Sequence, residues 1–434
     1  MNTSTKTQDA RIAEKLILIN GKNGDVIVGN GKSYLPVHIE NGNAFRTLLE
    51  KMNSEGLKGI EKNLVDLFFS KRIIVEDKEI IRMPPNGANS CCGIMGEQTL
   101  VLPLEENVED EIYEKMIDYQ MAIIENNGVL NIKLYGSDPV TCWPLLKKII
   151  TLIDDKLSKM EHHILIRYHF VSKLQNLPNK MIRWIKKHNV DFTVFLPLAR
   201  GLEKVPDYYE TVIENVRTLS KECVSVWFVT PTTKKNISDL LQIAGNYANI
   251  GNTIGFEFPA VQSFKYCWKY EKTNNLPNPD EYSQVLVDLY NAQIVSDDMF
   301  SPVNELRHRI TKGGYLPSCS CYYDHITLVK DNGNIYPCEL AANYGSICYG
   351  NVKTGPENNI ENALREWDNV KAKYWEKCEE CEWQYLCGGK CPLSFNSDND
   401  DASINHDKLV EEYICQPRIK LLKSMTWDIV KNLP

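Results

Sequence analysis

The chain has 434 residues, of which 43% are hydrophobic and 24% charged, an ordinary globular balance with room for about two to four domains. A net charge of −8 argues against a broad surface for nucleic acid, and no apolar run reaches the ~18–20 residues of a membrane span. The opening stretch MNTSTKTQDARIAEK lacks the apolar core of a signal peptide, so the expected compartment is the cytoplasm.

Taken in chain order, the first unit lies within residues 15–75. KLILIN, DVIVGN and SYLPVHI read as three short strands, divided by the turn stretches GKNG and NGKS. NAFRTLLEKM follows, then GIEKNLVDLFFSKRIIV, where Ile60, Leu64, Leu67 and Phe68 recur at helical spacing. Three strands followed by helices resembles the winged-helix-like recognition element that binds leader peptides in ribosomal peptide maturation. The resemblance implies that a leader would add as a strand along the edge formed by Ser33, Tyr34, Leu35, Val37 and Ile39.

From about residue 97 to 260, strand-like and helix-like segments alternate. The strand-like ones are TLVLPL, VLNIKLYG, HHILIRYHF, DFTVFLPL, VSVWFVTP and TIGFEFPA, with five helical patterns between them. This is the pattern of a parallel α/β domain. A closed eight-stranded barrel needs two more units, so a partial (β/α)6 barrel or an open sheet is expected. Cys223 and Cys267, in apolar surroundings, read as buried small residues.

The C-terminal third is short-stranded and rich in cysteine. None of the fourteen cysteines precedes Cys91, whereas eight fall between Cys319 and Cys391, with Cys415 just beyond. In a reducing compartment such clustering points to metal or cluster ligands rather than disulfides. The polar segment CEECEWQYLCGGKCP is expected to depend on ligation for its order, having too little apolar content for a core of its own. Soft thiolates suit iron–sulfur clusters or zinc.

The order is C-x11-G-x4-C (Cys321, Gly333, Cys338), then C-x2-C-x5-C-x3-C (Cys378, Cys381, Cys387, Cys391), then Cys415. It resembles the SPASM domain of radical SAM peptide-modifying enzymes. That resemblance implies two auxiliary [4Fe–4S] clusters. One would be held by Cys378, Cys381, Cys387 and Cys415. The other would be held by Cys321, Cys338 and Cys391, with Cys319 or Cys348 as its fourth ligand.

The upstream segment resembles a radical SAM domain that has lost its defining motif. In the family a strand ends in Gly-Gly-Glu, which holds the methionyl amine of SAM. Here the matching residues are Gly136, Ser137 and Asp138. The family's C-x3-C-x2-C triplet, which leaves one iron open to SAM, occurs nowhere in this chain, and the nearest thiols are the adjacent Cys91 and Cys92. The expected architecture is thus a leader-recognition-like unit (1–85), a degenerate radical-SAM-like partial barrel (86–304) and a SPASM domain (305–434). The function that follows is an accessory one in peptide maturation. The chain would bind a precursor peptide, an active radical SAM maturase, or both, without cleaving SAM. An active radical SAM or cluster-dependent peptide-modifying enzyme and a zinc-stabilised binding module are the alternatives.

Overall fold

The computed structural model describes residues 10–12, 16–21, 23–30, 36–57, 60–70, 73–76, 97–124, 128–160, 163–198, 201–260, 275–312, 325–338, 341–343, 347–355, 357–366, 369, 378, 381–389 and 406–431.

The N-terminal unit contains β1 (Ala10–Ile12), β2 (Leu16–Asn20), β3 (Val26–Asn30), β4 (Val37–Ile39), α1 (Gly42–Glu55), α2 (Lys62–Ser70) and β5 (Ile74–Glu76). Strands β2, β3 and β4 form the expected antiparallel meander, with β4 on one edge. Val37 and Ile39 lie on that edge, while Ser33, Tyr34 and Leu35 fall outside the described residues. Asn41 caps α1 by accepting the Ala44 N–H at 3.0 Å, which satisfies one of the free donors of the first turn.

Period-2 alternation then splits the meander between two cores. Val26 and Val28 pack with Phe45, Met52 and Phe68 of the helices, whereas Ile17 and Ile27 belong to the core of the main body. One departure concerns the end of the second helical pattern. Ile74–Glu76 leaves the helix and pairs antiparallel with β1. The β-branched run Ile73, Ile74, Val75 crowds a helical turn and favours extended backbone.

The main body runs β6 (Glu97–Leu104), α3 (Asp110–Ile123), β7 (Val129–Gly136), α4 (Trp143–Leu157), β8 (Leu165–Ser172), α5 (Asn179–Ile185), β9 (Asn189–Phe195), α6 (Tyr209–Lys221), β10 (Ser225–Val229), α7 (Leu240–Ala248), β11 (Ile254–Glu257) and α8 (Pro279–Ala292). It continues through β12 (Phe300–Ser301), α9 (Val303–Lys312), β13 (His325–Val329), β14 (Asn334–Tyr336), β15 (Gly350–Asn351), α10 (Gln384–Cys387), α11 (His406–Val410) and α12 (Gln416–Lys431). The six expected parallel strands are all present. They sit in a ten-stranded sheet of order β12-β11-β10-β9-β8-β7-β6-β13-β14-β15, open at both ends among the described residues.

Because β6 to β11 are adjacent in chain order, right-handed crossovers place their helices on one face. Trp184 of α5 packs on Tyr168 and Phe170 of β8, which identifies the helix-side residues. The other face is left for a site. On the far side of β6, β13 joins in parallel and β14 and β15 follow antiparallel. The sheet thus runs on into the cysteine-rich third.

Cys223 is a correction. It is exposed at φ +61°, in the turn after α6 rather than in β10. Cys267 lies outside the described residues. No described helix is long and apolar enough to cross a membrane.

Candidate functional site

Residues of an all-parallel sheet buried on both faces form near-continuous apolar runs. The strands here do not. The helix-side positions of β7 are Leu130, Ile132 and Leu134, and the alternate positions are Asn131, Lys133 and Tyr135. The ladder registers align Lys133 with His169, His169 with Asp191, and Asp191 with Ser225. A polar row therefore crosses four strands on the face away from the helices. One step nearer the strands' C-terminal ends, Val171, Thr193 and Trp227 align, and Tyr135 is the next alternate position of β7 after Lys133. The Tyr135 hydroxyl donates to the Val329 carbonyl at 2.7 Å, tying this wall to β13.

Within the row, His169 Nδ1 is hydrogen-bonded to the Asp191 carboxylate, and its Nε2 meets the Thr193 hydroxyl at 3.2 Å. The imidazole is fixed by a carboxylate on one side and a hydroxyl on the other. Sequence reading missed these residues. The signal was present in the alternation of VLNIKLYG and LIRYHFVS, but which polar positions meet depends on strand register.

At the SAM-motif position, Gly136 ends β7 at φ +98°, a conformation glycine adopts readily. A Cβ there would lie 3.0 Å from the Glu105 side chain. Asp138 Oδ1 accepts the Val140 N–H at 3.0 Å and the Ser172 hydroxyl at 2.8 Å, and Oδ2 accepts the Lys173 N–H at 2.8 Å. The carboxylate thereby staples the end of β7 to the end of β8. The Ser137 N–H donates to the Leu104 carbonyl at 3.1 Å.

The connection from β6 to α3 is Glu105–Glu109, five residues without a cysteine. Lys353, beside β15, pairs with Glu109 of this loop at 2.7 Å. Cys91 and Cys92 lie outside the described residues.

Of the predicted cluster ligands, Cys338, Cys378, Cys381, Cys387 and Cys415 are described, and Cys319, Cys321 and Cys391 are not. No disulfide occurs among the described cysteines. The Cys381 N–H donates to the Cys378 carbonyl at 3.0 Å. Cys387 ends α10 and is buried with Trp383 and Leu386 in the main core. The sequence therefore supplies this segment with more apolar anchoring than its composition promised.

Gly388 turns the chain at φ +74°, and a Cβ there would fall 1.8 Å from the Arg309 guanidinium. Cys415 closes a π turn, Glu411–Cys415, in which the Gln416 N–H donates to Glu411 O. The next residue, Pro417, has no N–H to continue the α-helical ladder, which accounts for the widened turn. At Cys338 the sulfur accepts the Ala341 N–H at 3.3 Å. The Cys348 thiol donates to the Gly350 carbonyl at 3.2 Å. Among the described residues, no three His, Cys, Asp or Glu side chains converge as a single metal ion requires.

No family profile matches the chain. Over 157 residues, 33% of its length, the chain is 27% identical to the cysteine-type anaerobic sulfatase-maturating enzyme of Clostridium perfringens. The match spans 40% of that enzyme. Among solved structures, native anSMEcpe with bound AdoMet and Cp18Cys peptide superposes with a TM-score of 0.59 at 14% identity, covering 78% of this chain and 100% of that one. A hexahistidine-tagged form of anSMEcpe with bound AdoMet gives 0.58 at 15% identity, covering 78% and 96%. These likenesses establish the fold, a mixed α/β body with a large, mostly parallel sheet of the kind found in those enzymes.

Proposed function

We propose that the chain is an accessory protein of ribosomal peptide maturation. It binds a precursor peptide, an active maturase, or both, and does not cleave SAM. The observation that carries this reading is the fold of an AdoMet-binding maturase joined to a β6–α3 connection of five residues with no thiol. Asp138 adds support, because its carboxylate is taken up by Ser172, Lys173 and Val140. In this reading, residues 1–85 form the leader-recognition unit, 86–304 the degenerate barrel and 305–434 the SPASM domain.

The thiol donors suit two [4Fe–4S] clusters in their chemistry, but no three of the described ones converge in this structure. Cys378, Cys381, Cys387 and Cys415 would hold one. Cys321, Cys338 and Cys391, with Cys319 or Cys348, would hold the other. The Ala341 N–H directed at the Cys338 sulfur is the type of contact that stabilises a cluster thiolate. When bound, the clusters would supply cross-links and a one-electron relay. The protein's own contribution is the two anchored turns, the helix carrying Cys415, and exclusion of water from Cys387.

The Cp18Cys peptide bound to anSMEcpe supports a peptide partner here, and the β4 edge is where it would pair. Adding the precursor peptide to the full-length chain should slow amide hydrogen exchange at residues 37–39 by about tenfold or more, since strand addition covers edge N–H groups. Saturating peptide with unchanged exchange there would remove the recognition role from β4. A second reading, an active peptide-modifying enzyme, is favoured by one observation: the oriented His169–Asp191 pair on the polar face.

A further inference from the structure

A notch on the helix side of the sheet lies at the end away from Gly136 and Asp138. It has a volume of about 370 Å³, and Asp154, Leu157, Ile166, Tyr168 and His188 are among the residues lining it. Asp154 comes from the last turn of α4 and Tyr168 from a helix-side position of β8. His188 comes from the short turn that leads from α5 into β9.

Two of the three polar groups are held in place. His188 Nδ1 donates to the Trp184 carbonyl at 2.7 Å, and the imidazole stacks on the Trp184 ring with centroids 4.1 Å apart and planes at 19°. A carbonyl only accepts, so Nδ1 carries the hydrogen and Nε2 of the neutral ring is left as an acceptor. Trp184 also sets its ring edge-on to Tyr168, with centroids 5.2 Å apart. Tyr168 is only 2% exposed, yet among the described residues nothing hydrogen-bonds its hydroxyl. A buried hydroxyl without a partner is costly. The Asp154 carboxylate acts on both Tyr168 and His188 across the gap, and no described group hydrogen-bonds it either. Burial pushes the Asp154 carboxyl up while His188 opposes the shift, so a bound cation would offset the cost of its charge.

Asp154, His188 Nε2 and the Tyr168 oxygen can each accept a hydrogen bond, and Asp155 adds a second carboxylate nearby. The cations close by compete little. Lys186 is paired with Glu222 at 2.8 Å, and Lys187 is exposed, where solvent screens it. Leu157 and Ile166 add an apolar stretch of wall. An ammonium on an alkyl stem matches all of this, having three donors, one positive charge and an apolar tail. We propose that the notch binds a primary alkylammonium group, which donates to Asp154, His188 and Tyr168 and lays its stem on Leu157 and Ile166. The group can belong to a free amine or to a lysine side chain of a partner. The site stands apart from the β4 edge and from the cysteine-rich third.

The test follows the His188 imidazole nitrogens by NMR in the full-length chain, labelled at histidine with heavy nitrogen. Eight histidines give few signals, and His188→Gln identifies the one to follow. Titration with n-butylammonium chloride, against sodium chloride at equal ionic strength, should shift that signal to saturation, with half-saturation at roughly 1–10 mM. Tyr168→Phe, which keeps the ring, and Asp154→Asn, at an exposed position, should each raise the half-saturation concentration about tenfold. n-Butyltrimethylammonium, which keeps the charge but has no N–H, should bind about tenfold more weakly or worse.

Nα-acetyl-lysine methylamide separates the two sources. Saturation by it assigns the site to a partner's lysine, and saturation by butylammonium alone assigns it to free amines; both outcomes support the proposal. A His188 signal that neither amine moves overturns it. So does a quaternary ammonium that binds as well as the primary one, or inorganic phosphate that shifts the signal where the amines do not. Unchanged affinity in both Tyr168→Phe and Asp154→Asn overturns it as well, because the amine would then be bound elsewhere.

Discussion

Replacing Cys381 by alanine is expected to unfold more of the C-terminal third than one ligand's worth. The Cys381 N–H donates to the Cys378 carbonyl at 3.0 Å, and the Cys381 carbonyl accepts the Gln384 N–H at 3.2 Å, at the start of α10. The same four-residue helix ends on Cys387, which is buried in the main core beside Trp383 and Leu386. Ligation energy in such a segment is folding energy. If the clusters interleave as proposed, Cys391 ties the first loop to the second. Anaerobic iron analysis should give about eight iron atoms per intact chain and about four or fewer for the variant. The apparent melting temperature should fall by roughly 10 °C or more. Loss of half the iron with an unchanged transition would show that the two sites are independent.

Removing residues 1–85 should destabilise the remainder rather than leave a clean second half. The three-stranded meander lies against the C-terminal helix, with α12 packed on β3 and β4. Trp427 sets its ring edge-on to His38 at 5.9 Å, and His38 in turn meets Asp25 at 2.9 Å. Ile17 and Ile27 are 2% and 0% exposed and count among the main core. Deleting them uncovers apolar surface on α12. At about 1.5–3 kcal/mol per buried large side chain, the loss is of the order of 5 kcal/mol. A chain beginning near residue 90 should therefore show a lower denaturation midpoint by urea titration. An unchanged midpoint would mean that the N-terminal unit is independent of the body. The same packing explains why hydrogen exchange at β4, and not truncation, isolates peptide recognition.

The parallel strands were legible in the sequence because their helix-side faces are apolar and their spacing leaves room for helices between them. The pairing of β13 with β6 was not legible. It joins residues more than two hundred positions apart, and long-range pairing leaves no local pattern. The pairing of β1 with β5 escaped for the same reason. Asp138 was found by its place in a motif, but its partners Ser172 and Lys173 come from the next strand and carry no motif of their own. His169, Asp191 and Thr193 are ordinary alternate-position residues until parallel register sets them side by side. Cys223 misled because an apolar neighbourhood in sequence, VSVWFV, begins one residue after the turn that exposes it.

The central proposal is that a chain with this α/β fold and a cysteine-rich C-terminal third does not cleave SAM. Its most direct test is production of 5′-deoxyadenosine by the full-length chain, reconstituted anaerobically with iron and sulfide and supplied with SAM, dithionite and precursor peptide. The account predicts no 5′-deoxyadenosine above a protein-free control, in a sample whose iron content shows the clusters loaded. Formation of one or more equivalents per chain, lost on replacing Cys91 and Cys92 by alanine, would contradict it.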